Sequence, residues 1–389
     1  MNYLNSLFFI FIFHVFYIYA QLPYYHLLND ENGLPSNEVY RVVEDKKGYV
    51  WIGCDAGLYR YNGFEFKLYK HPQQNSRSIS YLNFDDAGNL WCANFSGQIF
   101  IVKNDSIKLV ADYSSLAGKY HFCFNSYSFY WKIDKNNIEK IDINGKTLKK
   151  YPINLKNELI GNGTDLLYFK KLLWAEIPSL GFYCFDEKNE RFDLLLPYDK
   201  NKSYINQRLF TLKDKLYLLR TEKNLTISSD HIYEVNTENK SIRLIIKKDN
   251  VKNTRYYSIY EDRLQNLWMA SSNGAIKLKN ISDWGIKAEP FFQNNKISFI
   301  LYDSEGNYWF ADLQNGVWII PDMKSIFFKN KPDEPNFDIT TLKTLNDSII
   351  LLGFYDGSLS FFNTRNNTFT PLDISKKITG ITVKDIEVK

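Results

Sequence analysis

The chain has 389 residues, of which 44% are hydrophobic and 17% aromatic, so it is long enough to bury a large core. Its 28 tyrosines and 29 phenylalanines favour strands over helices. The formal net charge is only +4, from 48 basic and 44 acidic residues scattered without long runs. That balance gives no electrostatic basis for binding nucleic acid.

The first 20 residues form an apolar run that ends at Ala20, before the polar Gln21. This pattern predicts a signal peptide over residues 1–20 and export of the chain to the periplasm or the extracellular space. No Lys or Arg precedes the run, and Ile18 is larger than the usual residue three before a cleavage site. An uncleaved N-terminal membrane anchor is therefore the alternative.

Residues 39–69 contain four short apolar-rich segments separated by turn residues. The segments VYRVV, YVWIG, LYRY and FEFKLY have the composition of strands, and Asn62-Gly63 is a typical two-residue hairpin turn. Four strands joined in this way form an antiparallel meander. Such a meander is the blade of a β-propeller.

Degenerate copies of this unit recur along the chain, and each is marked by an aromatic residue after its first turn. The markers are Trp51, Trp91, Trp131, Trp174, Tyr217, Trp268 and Trp309, with Ile350 in the most degenerate unit. Spacings of about 40 residues fit one blade per unit, with an insertion around residues 224–230. We expect each ring to fill the wedge between neighbouring sheets rather than to stack on a ligand.

Two further residues punctuate the repeat. An Asp or Asn begins the first turn and is expected to accept backbone N–H groups, at Asp45, Asp86, Asp262, Asp303 and Asn346. A glycine follows the aromatic residue where the second hairpin requires positive φ, at Gly57, Gly97, Gly181, Gly274, Gly316 and Gly357.

The sequence thus predicts an all-β fold, a β-propeller of four-stranded antiparallel blades. Residues 24–28 are expected to complete a blade begun elsewhere in the chain, which removes exposed sheet edges. We expect about seven blades over residues 22–330, and a further blade with the start of a second propeller over residues 331–389. One eight-bladed ring is the alternative.

Signals of enzymatic chemistry are few. Cys54, Cys92, Cys123 and Cys184 permit disulfides in an exported chain, but buried free thiols are the preferred interpretation. The histidines are isolated, and the chain has no HExxH, GxSxG or P-loop motif. We therefore expect no metal, no cofactor and no catalytic residues. The acid pairs Asp85-Asp86 and Glu261-Asp262 lie at the repeated turn, where a structural role is expected.

In a meander blade, the hairpin between the second and third strands and the connection into the next blade emerge on one face. Polar and aromatic residues there suit a carbohydrate, although solvated turn residues are the simpler interpretation of each one. The candidate ligand-binding residues are Asp55, Arg77, Asn94, Phe95, Ser272, Asn273, Asp312, Gln314, Asn315, Tyr355 and Asp356, with Asn29, Asp30 and Glu31 in an inter-blade connection.

The run GLPSNEVYRVVEDKKGYVWIGCDAGLYRYNG and its copies NLWCANFSGQIF, NLWMASSNGAIKL and NYWFADLQNGVWII resemble the two-component regulator propeller repeat. The resemblance implies a periplasmic sensor region of a hybrid two-component system, responding to an oligosaccharide or another small ligand. It also implies a second sensor chain, as a homodimer, or a membrane-bound kinase as partner.

The later domains of that family, including the kinase, do not occur in this sequence, so we expect a truncated sensor without enzymatic activity of its own. A propeller glycosidase or lyase and a stand-alone protein-binding adaptor are the alternatives. The enzyme predicts several acids that face one pocket. The adaptor predicts a stable protein partner.

Overall fold

The computed structural model describes residues 23–116, 120–124, 129–153, 155, 163–223, 227–250, 253–323, 338–366, 368–372 and 383–386. The predicted signal peptide lies outside these residues. Contacts divide the chain into two compact units, Met1–Ser325 and Ile326–Lys389.

The all-β prediction is confirmed, because the strands form eight four-stranded antiparallel sheets. The sheets are numbered in chain order, starting with the sheet that begins at Val39. The N-terminal strand is not counted in this order, because it belongs to the last sheet of the first unit. Sheet 1 comprises Val39–Glu44, Val50–Cys54, Gly57–Tyr61 and Phe66–Tyr69. Sheet 2 comprises Ile79–Phe84, Leu90–Asn94, Gln98–Lys103 and Ser106–Asp112. Sheet 3 comprises Tyr120–Phe124, Phe129–Asp134, Asn137–Asp142 and Thr147–Pro152.

Sheet 4 comprises Asp165–Phe169, Leu172–Ile177, Gly181–Asp186 and Arg191–Pro197. Sheet 5 comprises Ser203–Leu212, Lys215–Lys223, Ser228–Asn236 and Ser241–Asn250. Sheet 6 comprises Tyr256–Glu261, Leu267–Ser271, Gly274–Leu278 and Glu289–Phe291. Sheet 7 comprises Ile297–Tyr302, Tyr308–Asp312, Gly316–Ile320 and the N-terminal strand His26–Leu28.

Sheet 8, in the second unit, comprises Ile339–Asn346, Ile349–Phe354, Leu359–Asn363 and Thr368–Pro371. The helices among the described residues are three-residue 3-10 turns at Asp30–Asn32, Ser114–Leu116 and Ile281–Asp283. The four strands of sheet 5 have nine or ten residues each. The insertion predicted around residues 224–230 falls between its second and third strands, and residues 224–226 lie outside the described residues.

The first turn of each well-formed repeat is held by an aspartate six residues before the tryptophan. In sheet 1, Asp45 Oδ1 accepts the backbone N–H groups of Lys47 (2.8 Å) and Tyr49 (3.1 Å), and Oδ2 accepts Trp51 Nε1–H (2.9 Å). The same carboxylate therefore fixes both the turn and the ring. Asp262 and Asp303 repeat the arrangement in sheets 6 and 7.

In sheet 2 the predicted turn residue is wrong by one position. Asp85, not Asp86, accepts the backbone N–H of Asn89 (2.8 Å) and the Trp91 Nε1–H (3.1 Å). Only Asp85 keeps the six-residue spacing to the tryptophan, and it is buried whereas Asp86 is exposed.

The repeat aromatics pack between sheets, as predicted. Trp51 lies in a cluster with Leu82 and Cys92 of sheet 2, and the pattern continues around the unit. The members are Trp91 against sheet 3, Trp131 against sheet 4, Trp174 against sheet 5, Tyr217 against sheet 6 and Trp268 against sheet 7. Trp309 of sheet 7 packs with Val39 and Ile52 of sheet 1. The seven sheets of the first unit therefore contact one another in a closed cyclic order.

Ring closure depends on the N-terminal strand, as the sequence predicts. His26, Leu27 and Leu28 pair antiparallel with Ile319, Trp318 and Val317, so the outermost strand of sheet 7 comes from the opposite end of the unit. Gly316 has φ of 95° at the start of its partner strand, and a Cβ there would lie 2.3 Å from the Leu28 carbonyl oxygen. The positive φ predicted for the repeat glycines is present at all six.

Candidate functional site

The second hairpins and the connections between sheets lie on one face of the ring, as predicted. In three sheets of the ring, backbone hydrogen bonds join the second hairpin to the residue that precedes the same sheet. These are Asp55 N to Glu38 O (3.0 Å), Ser272 N to Arg255 O (2.9 Å) and Leu313 N to Lys296 O (3.0 Å). We call this the hairpin face.

At the junction of sheets 1 and 2, the structure brings two predicted residues together. The Asp55 carboxylate accepts a hydrogen bond from Ser78 Oγ (2.7 Å) and lies 3.4 Å from Arg77 Nη2. The Arg77 side chain is 72% exposed. An ion pair this open adds little to stability and keeps its remaining hydrogen-bonding capacity for solvent or a ligand.

An aromatic pair, the exposed Phe95 and the half-buried Tyr40, lies beside these charges. The Phe95 ring is 65% exposed and meets the Tyr40 ring edge to face, with centroids 5.0 Å apart. The Tyr40 hydroxyl donates to Glu38 Oε1 (3.0 Å). Burial raises the pKa of Tyr40, and Glu38 and Asp55 raise it further. Tyr40, Asp55, Arg77 and Phe95 thus form one surface, which we call the sheet 1–2 patch.

Two other predicted residues turn inward and hold their own hairpins. The buried Asn94 amide donates to Ser76 O (3.1 Å) and Gln98 Oε1 (3.0 Å), and its oxygen accepts the Gln98 N–H (2.9 Å). The buried Asp312 carboxylate accepts the Gln314 N–H (2.8 Å) and the Trp318 Nε1–H (3.1 Å).

The remaining predicted residues are spread over the hairpin face of the first unit and over the second unit. Ser272 Oγ accepts the Arg255 N–H (3.0 Å), and Asn273 lines a pocket of about 200 Å³ between sheets 5 and 6. Asn315 Nδ2 donates to Asp312 (3.1 Å), and Gln314 is exposed. Tyr355, 67% exposed, and Asp356 lie in the second hairpin of sheet 8.

The first strands of the sheets carry a second set of residues, which was not predicted from the sequence. The first strands of neighbouring sheets contact each other, so they line the axis of the ring. In each sheet, one residue of the first strand pairs with the repeat aromatic of the second strand. The residue two positions earlier on the first strand is equivalent in all seven sheets. These equivalent residues are Arg41, Tyr81, His121, Asp165, Arg208, Ser258 and Phe299. We call them the axial layer.

Side-chain contacts support this register. The Arg41 guanidinium lies 4.7 Å from the Tyr81 ring centroid and 4.4 Å from the Phe299 ring centroid, so it reaches its equivalents on both neighbouring sheets. A repeat-based signal exists, because Arg41, Tyr81 and His121 each precede the tryptophan of their own unit by ten residues.

The axial layer carries charge. Asp165 Oδ2 accepts the Leu209 backbone N–H (2.8 Å) and is held at the junction of sheets 4 and 5. Burial lowers the pKa of His121, and Asp165 opposes that shift. His121 is therefore neutral at neutral pH. The layer then holds two guanidinium groups and one carboxylate, a net positive charge.

Other potential sites are bounded by what the described residues contain. All four cysteines are free and buried, and burial raises the pKa of the Cys54 thiol to about 11. Within the described ranges, no group of three His, Cys, Asp or Glu residues is placed to hold a metal ion. In that same part of the chain, no helix is long and apolar enough to cross a bilayer.

Radial four-stranded sheets, interlocking tryptophans and a closing N-terminal strand define a β-propeller. Residues 24–56 match the family model described as "Two component regulator propeller". The resemblance predicted from the sequence is therefore confirmed. Over 49 residues, or 13% of this chain, the sequence is 37% identical to histidine kinase P4 of Formosa agariphila. That segment is 4% of the kinase.

Solved structures share the fold at low identity. The extracellular domain assigned to a hybrid two component system of B. thetaiotaomicron matches with a TM-score of 0.62 and 14% identity, over 90% of this chain and 49% of that one. Virginiamycin B lyase of Staphylococcus aureus matches with a TM-score of 0.57 and 17% identity, over 76% of this chain and 98% of the lyase. The chain spans about half the length of the extracellular domain.

Proposed function

We propose that this chain is the extracytoplasmic ligand-sensing propeller of a two-component regulatory system. The observation that carries the proposal is the regulator propeller repeat at residues 24–56. Its copies build a closed ring of the fold seen in extracellular domains of two-component systems. A propeller supplies a rigid scaffold, so function is assigned from its surface rather than from its fold.

The ligand class that suits the hairpin face is an oligosaccharide, bound at the sheet 1–2 patch. Sugars present apolar ring faces and pairs of hydroxyls. The exposed Phe95 ring offers a stacking surface, and the Tyr40 ring packs edge to face against it. Asp55 and Arg77 offer an acceptor and a planar donor beside it.

Signalling in this proposal acts through a partner of the propeller. In this proposal, the ligand shifts the arrangement of the propeller relative to a second sensor chain or to a membrane-bound kinase. Export is part of the same proposal, with a signal peptide removed after Ala20. N-terminal sequencing of the protein recovered from periplasmic and membrane fractions tests this, because an intact leader in the membrane fraction would contradict removal.

The ligand proposal is tested by thermal unfolding of the full chain with a panel of neutral and acidic oligosaccharides. A ligand at 100 times its Kd stabilises the folded state by about 2.7 kcal/mol, which is readily measured. Phe95→Ala is expected to weaken the response about tenfold, because stacking contributes about 1–1.5 kcal/mol. The matched control is Phe64→Ala, since Phe64 is 94% exposed and lies in the turn after the third strand, on the opposite face.

If no oligosaccharide at millimolar concentration shifts the midpoint, the sensor proposal loses its ligand. Equal responses of the two phenylalanine variants would instead place the sugar elsewhere on the ring. A stable protein captured by the chain, without any response to sugar, would favour the adaptor.

A propeller lyase is the second candidate, because the fold is shared with virginiamycin B lyase and because His121 and Asp165 interact within the axial layer. A neutral imidazole near a carboxylate can serve as a general base. Mass spectrometry of oligosaccharides incubated with the full chain detects cleavage. Product that His121→Ala abolishes would favour the lyase, and intact substrate favours the sensor.

A further inference from the structure

We propose that the axial layer is a binding site for an oxyanion, a carboxylate or sulfate group, held by Arg41 and Arg208. The site lies on the ring axis and is distinct from the sheet 1–2 patch on the hairpin face. It follows from the contacts of the layer and does not depend on the proposed sensor role.

Both arginines have hydrogen-bond donors that are not satisfied within the protein. Arg41 Nε and Arg208 Nε are buried atoms without a hydrogen-bond partner. Neither guanidinium forms an ion pair among the described residues. Arg208 donates one hydrogen bond there, from Nη1 to the Gln207 carbonyl oxygen (3.1 Å). Most buried polar groups in proteins have partners, so two such donors in one layer need an explanation.

The charge on Arg41 also has a cost. Arg41 is half-buried, and burial lowers the pKa of its guanidinium group. A desolvated charge without a counterion destabilises the fold. Elsewhere in the same ring, the buried Arg220 is matched by Glu176 through two hydrogen bonds of 2.9 and 3.0 Å. The axial arginines have no such protein partner, so a ligand is the remaining source of negative charge.

The shape of the donor set also favours an oxyanion. A guanidinium presents a planar fork that matches carboxylate, sulfate and phosphate oxygens. The rings of Tyr81 and Phe299 flank the Arg41 guanidinium on both sides and orient it. The other ionisable members facing the layer are Asp165, which is held by the Leu209 N–H, and the neutral His121. One carboxylate cannot neutralise two guanidinium groups.

The test is thermal unfolding of the full chain in titrations of sodium sulfate, sodium glucuronate, glucose and sodium chloride, with chloride matched for ionic strength. The wild type is expected to gain a saturable rise in melting midpoint with sulfate, glucuronate or both, beyond chloride and glucose. Arg41→Gln and Arg208→Gln should each move half-saturation to at least about tenfold higher concentration, because a charge-assisted hydrogen bond is lost.

Arg191→Gln is the matched control, since Arg191 is 70% exposed and pairs with Asp193 outside the layer, and it should titrate like the wild type. Should a glutamine variant fail to fold, Arg41→Lys and Arg208→Lys keep the charge but lose the planar fork, and half-saturation should still rise. A response to sulfate alone or to glucuronate alone would define which oxyanion the site holds. No saturable response beyond chloride, or equal titrations in wild type and layer variants, would overturn the proposal.

Discussion

Closure of the ring can be tested at a single methyl group. Gly306 and Gly316 both have φ of 95° and both belong to the sheet 7 region, so alanine at either position pays the same left-handed backbone penalty of about 1–2 kcal/mol. They differ in surroundings. The nearest atom to a Cβ at Gly306 is the Tyr302 hydroxyl at 3.7 Å, whereas at Gly316 it is the Leu28 carbonyl oxygen at 2.3 Å.

That contact lies in the backbone of the closing strand, which cannot retreat without losing its pairing with Val317. Overpacking costs about 1–3 kcal/mol, and a lost backbone hydrogen bond costs about 1 kcal/mol more. Gly316→Ala should therefore be about 2–4 kcal/mol less stable than Gly306→Ala.

Urea unfolding followed by tryptophan fluorescence measures this difference. All eight tryptophans lie between residues 51 and 318, within the first unit, so the signal reports on the ring alone. Equal free energies of unfolding for the two variants would contradict this role of the closing strand, because the methyl group at residue 316 would then not disturb its pairing.

Two further predictions concern carboxylates. Asp262→Asn should lower the free energy of unfolding by about 2–4 kcal/mol, because the buried carboxylate accepts hydrogen bonds from Trp268 Nε1 and the Tyr308 hydroxyl, both 2.8 Å. The control is Asp86→Asn at an exposed position, which should change the free energy of unfolding by less than about 0.5 kcal/mol. A similar loss in both variants would contradict this role of Asp262. Hydrogen bonds from a lysine and a tyrosine of sheet 1 lower the pKa of Asp105 from 3.8 to about 2, so its stabilisation is present above about pH 4 and is lost as pH falls through about 2. Asp105→Asn should therefore be less stable than wild type at pH 7, by at most about 1 kcal/mol given the exposure of Asp105. In urea unfolding this difference should shrink as pH falls from about 4 through about 2, and a difference that does not shrink over that range would contradict the prediction.

The fold could be predicted from the sequence because its determinants are local. An aspartate six residues before a tryptophan specifies a turn and a ring position within one hairpin, and the spacing of about 40 residues then counts the sheets. The error at Asp86 shows the limit of this reasoning, since two adjacent acids are both plausible until the spacing to Trp91 is applied.

The candidate site was harder to predict, because residue type in a hairpin does not tell which way a side chain turns. Asn94 and Asp312 have the composition of ligand-binding residues, yet both hold their own hairpins. Phe95 and Arg77 reach the surface, where the ligand hypothesis can be tested. The axial layer requires strand register across seven sheets, which no single motif encodes.

The repeat separates scaffold from variable positions. Each member of the axial layer is opposite the residue two places after the repeat aromatic, which in sheets 1, 2, 6 and 7 is Gly or Ala. In sheet 1 that residue is Gly53, and a Cβ there would lie 2.6 Å from the Ile79 carbonyl oxygen. The small residue lets the second strand of sheet 1 approach the first strand of sheet 2 closely, and Arg41, opposite Gly53, lies within reach of Tyr81.

The fold does not require a small residue at the axial position itself. Its seven occupants include an aliphatic hydroxyl, two rings, an imidazole, a carboxylate and two guanidinium groups, although each of them pairs with the residue two places after the repeat aromatic. Strand pairing therefore does not dictate which residue type stands at the axial position. The side-chain chemistry of the ring therefore varies at this position while the scaffold is kept, and Arg41 and Arg208, which form no ion pair among the described residues, are the members for which an oxyanion is proposed.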